Sequence, residues 1–183
     1  MPANPPITDL ETIARLAAER FDDFQVMRYM LEANEDISDA DLDALVERIA
    51  APIDAAIDCT QCANCCRGLD VHLTPDDAGR LADAIDVPLH EIEIRYIDRV
   101  SAGMVGEWGR FREKPCPFLK GKLCSVYAHR PETCRTYPAF TPDFRWTLED
   151  TIDGAGLCPI IYNVLAALVD EIDALYKRLY DVE

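Results

Sequence analysis

Hydrophobic residues recur every three or four positions through the first third of the chain, a period that predicts amphipathic helices. Thr8 and Glu11 form a capping-box pattern, so the first helix is predicted to begin there and to run to about residue 33. Ser38 is predicted to cap a second helix, which Pro52 kinks or interrupts because proline cannot donate the interior hydrogen bond. We expect the apolar faces of both helices to pack in a core.

The helical period returns in the middle and at the end of the chain. A short strand is predicted in LDVHL, and Thr74 followed by Pro75 then predicts the start of a third helix. Pro88 opens a fourth helix, which the apolar spacing carries to about Val100. Pro159 occupies the first position of a last helix, whose apolar stripe continues towards the end of the chain.

Residues 101–157 lack this period and are rich in glycine, proline and aromatic residues. Pieces such as KLCSVYA and FRWTL are strand-like, and no long helix is predicted there. The sequence therefore predicts an α+β fold that is mainly α, with amphipathic helices around an irregular, cysteine-rich middle with short strands. We divide it into an N-terminal helical segment (1–58), a cysteine-bearing region (59–160) and a C-terminal helix (161–183) that completes the core.

The charge of the chain is strongly negative and unevenly spread. The formal net charge of −16 argues against a nucleic-acid partner and against binding to an anionic membrane surface. Residues 1–58 carry a net charge of −10, whereas residues 110–135 carry a net charge of +5. The basic stretch contains three cysteines, so its charge bears on their chemistry.

The N-terminal MPANPPITDL lacks the basic and then apolar pattern of a secretory signal. The longest nearly apolar run, GLCPIIYNVLAALV, is shorter than the roughly 20 residues that a membrane-spanning helix needs. We therefore expect a cytoplasmic protein, in a compartment where stable disulfides are rare. There, a group of cysteines indicates metal binding or redox chemistry more often than crosslinking.

Four of the eight cysteines lie in CTQCANCC, at positions 59, 62, 65 and 66. A C-x-x-C spacing lets two thiolates converge on one metal ion within a tight turn. The doubled spacing is that of iron–sulfur proteins, which take a fourth cysteine from elsewhere in the chain. Sulfur-only ligation suits zinc or an iron–sulfur cluster, and this spacing favours one or two clusters, including the 4Fe-4S type, over zinc.

The other cysteines, at positions 116, 124, 134 and 158, are candidate remote ligands. Three of them lie in the basic stretch, whose positive charge stabilises thiolates. Adjacent side chains on an extended backbone point to opposite sides, so Cys65 and Cys66 are expected to serve two centres, or one of them packs in the core. Eight cysteines fit two four-thiolate centres, or one centre with spare thiols. We predict a split in which Cys59, Cys62 and Cys65 take one remote cysteine and Cys66 takes the rest.

Together these motifs resemble the YkgJ-like cysteine-cluster family over roughly residues 59–160. The resemblance rests on CTQCANCC, on CPFL at Cys116, on CSVYAHRPETCRTYP from Cys124 to Pro138 and on the late Cys158. That family is described as a zinc- or iron-chelating domain, a description inferred from its cysteines.

The resemblance implies that all eight cysteines are metal ligands, namely Cys59, Cys62, Cys65, Cys66, Cys116, Cys124, Cys134 and Cys158. It also matches Arg130, Arg135 and Tyr137 to the family's R-P…C-R-x-Y-P segment, and we assign these three to the cofactor site. Ala63 stands where the family commonly has glycine.

The leading hypothesis is a cytoplasmic metal-binding protein. One alternative is a cluster-dependent enzyme, an oxidoreductase or a transferase, since the cysteine pattern of flagellin lysine methylases, which act on a protein substrate, looks similar. Tyr127 and Trp146 would then lie near the active site with Arg130, Arg135 and Tyr137. These aromatic residues, however, fit better as the small core of a region that a metal holds together.

Another alternative is a structural zinc module that presents the acidic helices to a protein partner. Thiol–disulfide exchange is least favoured, because no thioredoxin-like βαβ pattern surrounds the C-x-x-C pairs.

Overall fold

The computed structural model describes residues 5–180, with side chains to residue 178. Residues 1–4 and 181–183, which belong to the predicted terminal segments, lie outside the described residues. Over the described residues the protein is 64% helical with a few short antiparallel strands, which confirms the predicted α+β, mainly α, fold. Within the described part of the chain, no helix combines the length and the apolar character needed to cross a membrane.

The elements follow one another in a simple chain order. The helices are α1 (Leu10–Glu19), α2 (Phe21–Ala33), α3 (Asp39–Ala56), α4 (Cys59–Cys62), α5 (Cys65–Gly68), α6 (Pro75–Ile85), α7 (Leu89–Tyr96), α8 (Arg99–Gly103), α9 (Glu132–Thr136), α10 (Phe144–Asp153) and α11 (Pro159–Tyr180). The strands are β1 (His72–Leu73), β2 (Ile97–Asp98), β3 (Gly109–Phe111), β4 (Leu119–Lys120) and β5 (Leu123–Cys124). A 3₁₀ turn covers Tyr127–His129.

The chain forms two compact units. Unit one consists of the chain before Cys59 together with the chain after Tyr137, and unit two is the continuous segment between them, Cys59–Tyr137. Unit one is therefore discontinuous in sequence, because its last two helices come from the far end of the chain.

Unit one is a helical assembly in which α11 packs against α1, α2 and α3, and α10 packs against α2 and α3. Its fully buried side chains come from all five helices: Ile13, Phe24, Leu31, Leu42, Val46, Phe144, Leu148, Val164, Leu165 and Leu168. Burial of these apolar surfaces is the main source of stability for such an assembly.

Two predictions about the N-terminal helices were wrong in detail. Asp9, rather than Thr8, is the N-cap, since its carboxylate accepts a hydrogen bond from the Thr12 N–H at 2.9 Å. The predicted single helix is broken at Arg20, whose backbone leaves the helical region, so that α1 and α2 are separate. Pro52 does not interrupt the predicted second helix, because α3 continues through it. Pro52 is exposed, so water can hydrogen-bond to the backbone carbonyl of the preceding turn that proline leaves without an N–H donor.

The prediction that residues 101–157 contain no long helix was also wrong, because FRWTL begins the ten-residue helix α10. The Asp43 carboxylate accepts hydrogen bonds from the backbone N–H groups of Asp143 and Phe144, at 2.9 and 3.0 Å, and thereby satisfies the start of the helix. Arg145, in the first turn of α10, is only 4% exposed. Its guanidinium donates to the carbonyls of Leu31, Asn34 and Ile37 and to the Asp39 carboxylate. These partners lie more than 100 residues away, so no local pattern indicates the helix.

Unit two contains a three-stranded antiparallel sheet in the order β1-β3-β2. His72 pairs with Arg110, and Ile97 pairs with Phe111. The predicted fourth helix begins after Pro88 but ends at Tyr96, because the chain then enters the sheet as β2. A buried core forms on this sheet from Val71, Leu73, Ala78, Leu81, Ala82, Ile92, Ile97, Phe111, Phe118 and Val126.

Candidate metal centre

CTQC forms the single helical turn α4, which places Cys59 and Cys62 on the same side, three positions apart. The chain then reverses at Ala63, which has a φ of +55° and donates its N–H to the Cys59 carbonyl at 3.1 Å. This left-handed conformation usually requires glycine, yet Ala63 adopts it here. The turn brings the chain directly to the second pair of cysteines.

Cys65 and Cys66 begin the short helix α5, so the expectation of an extended backbone at this pair was wrong. In a helix, adjacent side chains differ by about 100° in direction rather than pointing to opposite sides. The two thiols are hydrogen-bonded to each other. Cys65 and Cys66 therefore form one hydrogen-bonded pair, and Cys66 also interacts electrostatically with the remote cysteines.

The β4–β5 hairpin brings two remote cysteines next to this pair. The Cys116 N–H donates to the Cys66 carbonyl at 2.7 Å, and Cys124 is the last residue of β5. Within the hairpin, Leu119 pairs with Cys124, and the Ser125 N–H donates to the Phe118 carbonyl at 2.8 Å. Main-chain hydrogen bonds thus fix the positions of both cysteines.

Two cationic side chains tie the CTQC turn to the hairpin. Arg67 donates to the carbonyls of Cys62 and Gly121 at 2.9 and 3.3 Å, and Lys122 donates to the Gln61 carbonyl at 2.7 Å. Sequence reasoning missed both residues. Two features of the sequence could have indicated them. Arg67 directly follows Cys66, and Lys122 lies in the stretch 110–135, which carries a net positive charge.

Cys134 lies on α9, and two contacts fix the start of that short helix. The buried Asp77 carboxylate accepts a hydrogen bond from the Glu132 N–H at 3.0 Å, and the Thr133 hydroxyl donates to the His72 carbonyl at 2.9 Å. Thr74 and Pro75 begin α6 as predicted, and Thr74 forms a complete capping box with Asp77. The second function of Asp77, holding α9, was not visible in the sequence.

Cys66, Cys116, Cys124 and Cys134 form a group that we call the thiol cluster. Each of the six pairs among these four thiols is close enough for their charges to interact. Cys116, Cys124 and Cys134 also pack against the hydrophobic core of unit two. The structure thus brings together one cysteine of CTQCANCC and three remote cysteines. Cys158 is buried in unit one, just before α11.

The four thiols differ in their affinity for a proton. The hydrogen bond with Cys65, aided by the positive charges of Arg67 and Arg130, lowers the pKa of Cys66 to about 6. Burial raises the pKa of Cys116 and of Cys124, and raises that of Cys134 to about 12. Cys66 thus holds its proton less tightly than the other three thiols, and a bound cation would displace the protons that the thiols retain.

The predicted cofactor residues lie in different surroundings. Arg130 places its guanidinium 3.7 Å from the centre of the Tyr127 ring and interacts electrostatically with Cys66, Cys124 and Cys134. Arg135, next to Cys134, forms an ion pair with Glu132. The hydroxyl of Tyr137 is buried at the end of α9. Trp146 lies in unit one, where its indole donates to Asp39.

Among the described residues, which include all eight cysteines, no disulfide is present, and no three Cys, His, Asp or Glu side chains are placed to hold a metal ion together. The donor set itself fits zinc or iron, since it consists of sulfur alone and is flanked by cations. Several cysteines beside cationic side chains in an irregular segment are typical of the class of cysteine-cluster metal-binding proteins.

The chain belongs to the CxxCxxCC family, described as a "putative zinc- or iron-chelating domain", whose family model matches residues 58–154. The match covers a little over half of the chain and confirms the cysteine-cluster resemblance. Searches of curated proteins and of solved structures gave no match. Membership supports metal binding as the general function of the chain.

Proposed function

We propose that unit two is a thiolate metal-binding module and that the thiol cluster of Cys66, Cys116, Cys124 and Cys134 supplies the ligands of one metal site. The observation that carries this proposal is geometric: the Cys116 N–H donates to the Cys66 carbonyl at 2.7 Å, and Cys116, Cys124 and Cys134 pack against the same hydrophobic core. A closed set of four sulfur ligands is typical of structural zinc sites and of iron–sulfur clusters.

Cys59, Cys62 and Cys65 form the second ligand set in this proposal. α4 places the first two on one side of a single turn, and the reversal at Ala63 brings the third close in sequence and in backbone path. Cys158 is assigned as a ligand from the sequence motif alone. An iron–sulfur cluster is favoured over zinc because the C-x-x-C-x-x-C spacing is that of cluster proteins.

Arg130 supports the cofactor site by balancing the charge of metal-bound thiolates. Its guanidinium interacts with three thiols of the cluster and is held in place by the Tyr127 ring and carbonyl. Arg135 and Tyr137 frame the helix that carries Cys134, and we propose a supporting role for both. The cytoplasmic location, the enzyme and the structural zinc module stay predictions from the sequence.

The test is anaerobic purification followed by metal and sulfide analysis, visible absorption and EPR. Iron with acid-labile sulfide is expected, and Cys134→Ser should lower the metal content while Thr136→Ser, a matched change on the same helix, leaves it unchanged. Stoichiometric zinc without iron or sulfide would rule out the cluster but keep the thiolate site. A protein that takes up neither metal would overturn the proposal.

A further inference from the structure

Helices α2 and α11 of unit one pack together and leave an open groove of about 270 Å³ between them, which we call the α2–α11 groove. Met27 and Val169 are buried and line the groove with apolar surface. Val26 and Met30 line it as well and are open to solvent, since Val26 is 57% exposed and Met30 is half-buried. Methionine adapts its shape to different partners and is frequent at protein-binding surfaces. The groove thus offers apolar surface that an incoming apolar side chain would bury.

Polar contacts between the two helices hold both ends of the α2–α11 groove. At the start of α2, a guanidinium nitrogen of Arg20 lies 3.7 Å from an Asp170 carboxylate oxygen and 3.3 Å from an Asp23 carboxylate oxygen. At the other end, the Tyr176 hydroxyl donates to the Met30 carbonyl at 2.9 Å. Arg20 and Met30 are ten residues apart, which corresponds to roughly 15 Å along a helix. The groove is therefore formed in the absence of a ligand, and its length matches about three turns of a bound helix.

The rim of the α2–α11 groove is acidic. Asp23, Asp170 and Asp173 line it beside one cation, Arg20, so the formal charge of the lining side chains is −2. Arg20 already pairs with Asp23 and Asp170. Asp173 is exposed one turn further along α11. A cationic side chain that approaches the groove from this side therefore meets carboxylates next to apolar surface.

The net charge of the whole chain comes from unit one. Residues 1–58 and 138–183, which make up this unit, contain 23 acidic and 7 basic residues, whereas residues 59–137 contain 11 of each. Unit one therefore carries a formal charge of −16, and unit two carries none. A negative field of this size attracts basic partners and raises their rate of association. It repels a second copy of unit one, nucleic acid and anionic lipid alike.

We propose that the α2–α11 groove docks a basic amphipathic helix of a partner protein. Apolar side chains one turn apart on that helix, at positions i and i+3 or i+4, contact the methionines and valines of the groove. Lysine or arginine side chains beside them pair with Asp170 and Asp173 at the rim. The docking surface belongs to unit one and does not depend on metal binding by unit two, so either proposal can fail while the other holds.

The experiment measures binding of the full chain to a fluorescent peptide of about 14 residues, or four helical turns, by anisotropy. The peptide has leucine at helical spacing and lysine elsewhere. A scrambled peptide of the same composition lacks the apolar face, and a third peptide has glutamate in place of lysine. Binding is expected for the amphipathic lysine peptide alone, and 1 M salt should weaken it because the charges are then screened within about 3 Å.

Two pairs of substitutions locate the binding surface. Val26→Gln combined with Met30→Gln should weaken binding by about tenfold or more, because both side chains lose apolar contact. Val100→Gln combined with Met104→Gln makes the same change at exposed positions of unit two and should leave binding unchanged.

A charge variant tests the acidic rim. Asp173→Asn should weaken binding by about threefold at low salt, whereas Asp54→Asn, at an exposed position on α3 of the same unit, should have a smaller effect. Circular dichroism checks that each variant is folded. Absence of binding, equal binding of the scrambled or glutamate peptide, or equal effects of the two valine–methionine pairs would overturn the proposal. A dimer in sedimentation equilibrium that Val26→Gln with Met30→Gln abolishes would also overturn it, because a second copy would then occupy the groove.

Discussion

The Asp77 carboxylate accepts a hydrogen bond from the backbone N–H of Glu132, 55 residues further along the chain, at 3.0 Å. The same side chain also accepts from the backbone and hydroxyl of Thr74 and pairs with Arg80, although Asp77 itself has no exposed surface. One buried carboxylate thus holds the first turns of both α6 and α9. Since α9 carries Cys134, this contact links the fold of unit two to the geometry of the thiol cluster.

Asp77→Ala should therefore lower the stability of unit two and weaken metal binding. The substitution removes the acceptor of three part-buried hydrogen bonds, from the N–H and hydroxyl of Thr74 and from the N–H of Glu132, and each contributes about 1 kcal/mol. Urea unfolding of the metal-free protein, followed by circular dichroism, and a Zn²⁺ competition titration measure the two effects. Asp76→Ala, at an exposed neighbouring position, should change stability by less than about 0.5 kcal/mol. Equal effects of the two substitutions would contradict the special role of Asp77.

Ala63→Gly should stabilise the protein slightly. The left-handed conformation costs an L-residue about 1–2 kcal/mol, and loss of the buried methyl group offsets about 0.8 kcal/mol of the gain, which leaves roughly 0.5 kcal/mol. Ala44→Gly, in the exposed interior of α3, should instead destabilise by about 1 kcal/mol. Urea unfolding measures the change in the free energy of unfolding for the same Ala→Gly substitution at both positions. We expect a gain at Ala63 and a loss at Ala44, and a loss at both would contradict a strained turn at Ala63.

Arg130→Gln should weaken metal binding, since Arg130 interacts with three thiols of the cluster. We expect a loss of about threefold to tenfold in Zn²⁺ affinity at low salt, as one neighbouring charge near the surface contributes about 1 kcal/mol. Arg130→Lys should restore most of the affinity because it keeps the charge. Competition with a chromogenic chelator measures both, and a loss that persists in 1 M salt would show that the charge is not the cause.

Alkylation of the metal-free protein should distinguish the cluster thiols by their pKa values. With a pKa of about 6, Cys66 should react with iodoacetamide about tenfold more slowly at pH 5 than at pH 7, because its thiolate fraction falls by that factor. A thiol of ordinary pKa would slow about a hundredfold. Cys134, whose pKa is raised to about 12, should react last. Peptide mass spectrometry gives the rates at each cysteine.

The neighbouring thiol provides the control for this measurement. The hydrogen bond with Cys65 is the main cause of the low pKa of Cys66, so Cys65→Ala should raise that pKa and steepen the pH dependence. Cys65→Ser retains a donor and should preserve it. A hundredfold slope in the wild-type protein would contradict the arrangement of the vicinal pair.

Arg145→Met should destabilise unit one by about 3 kcal/mol, because it leaves the buried Leu31 carbonyl and the part-buried Asn34 and Ile37 carbonyls without this donor. Each unit contains one tryptophan, Trp108 in unit two and Trp146 in unit one. Fluorescence-detected unfolding in the Trp108→Phe background therefore reports unit one alone. Arg48→Met, at an exposed position on α3, is the matched control, and an equal loss of stability in both variants would contradict the role of Arg145.

Local signals in the sequence predicted the helix starts that depend on neighbouring residues. Ser38 caps α3, Thr74 and Pro75 begin α6, and Pro159 begins α11. The capping side chains accept hydrogen bonds from N–H groups of the first turn, and the proline ring favours the backbone angle of the first helical position. The helix α10 could not be predicted in this way, since its N-terminus is satisfied by Asp43. Residue type and spacing identified the cysteines, and they also matched the family.

The grouping of the cysteines was harder to derive than their identity. The contact between Cys116 and Cys66 depends on the hairpin, and the position of Cys134 depends on Asp77. Both are non-local hydrogen bonds that leave no periodic pattern in the chain. The helical conformation of Cys65 and Cys66 was missed for a related reason, because a four-residue helix is too short to show a period.

The discontinuity of unit one has a consequence for the order of events on the ribosome. Unit two is a continuous segment, so all its residues have been synthesised by Tyr137, whereas α1, α2 and α3 lack their packing partners until α10 and α11 emerge. Domains generally fold as units during synthesis. If unit two binds metal as proposed, the cysteines up to Cys134 can therefore bind it on the nascent chain before α10 and α11 have been synthesised and can pack against α1, α2 and α3.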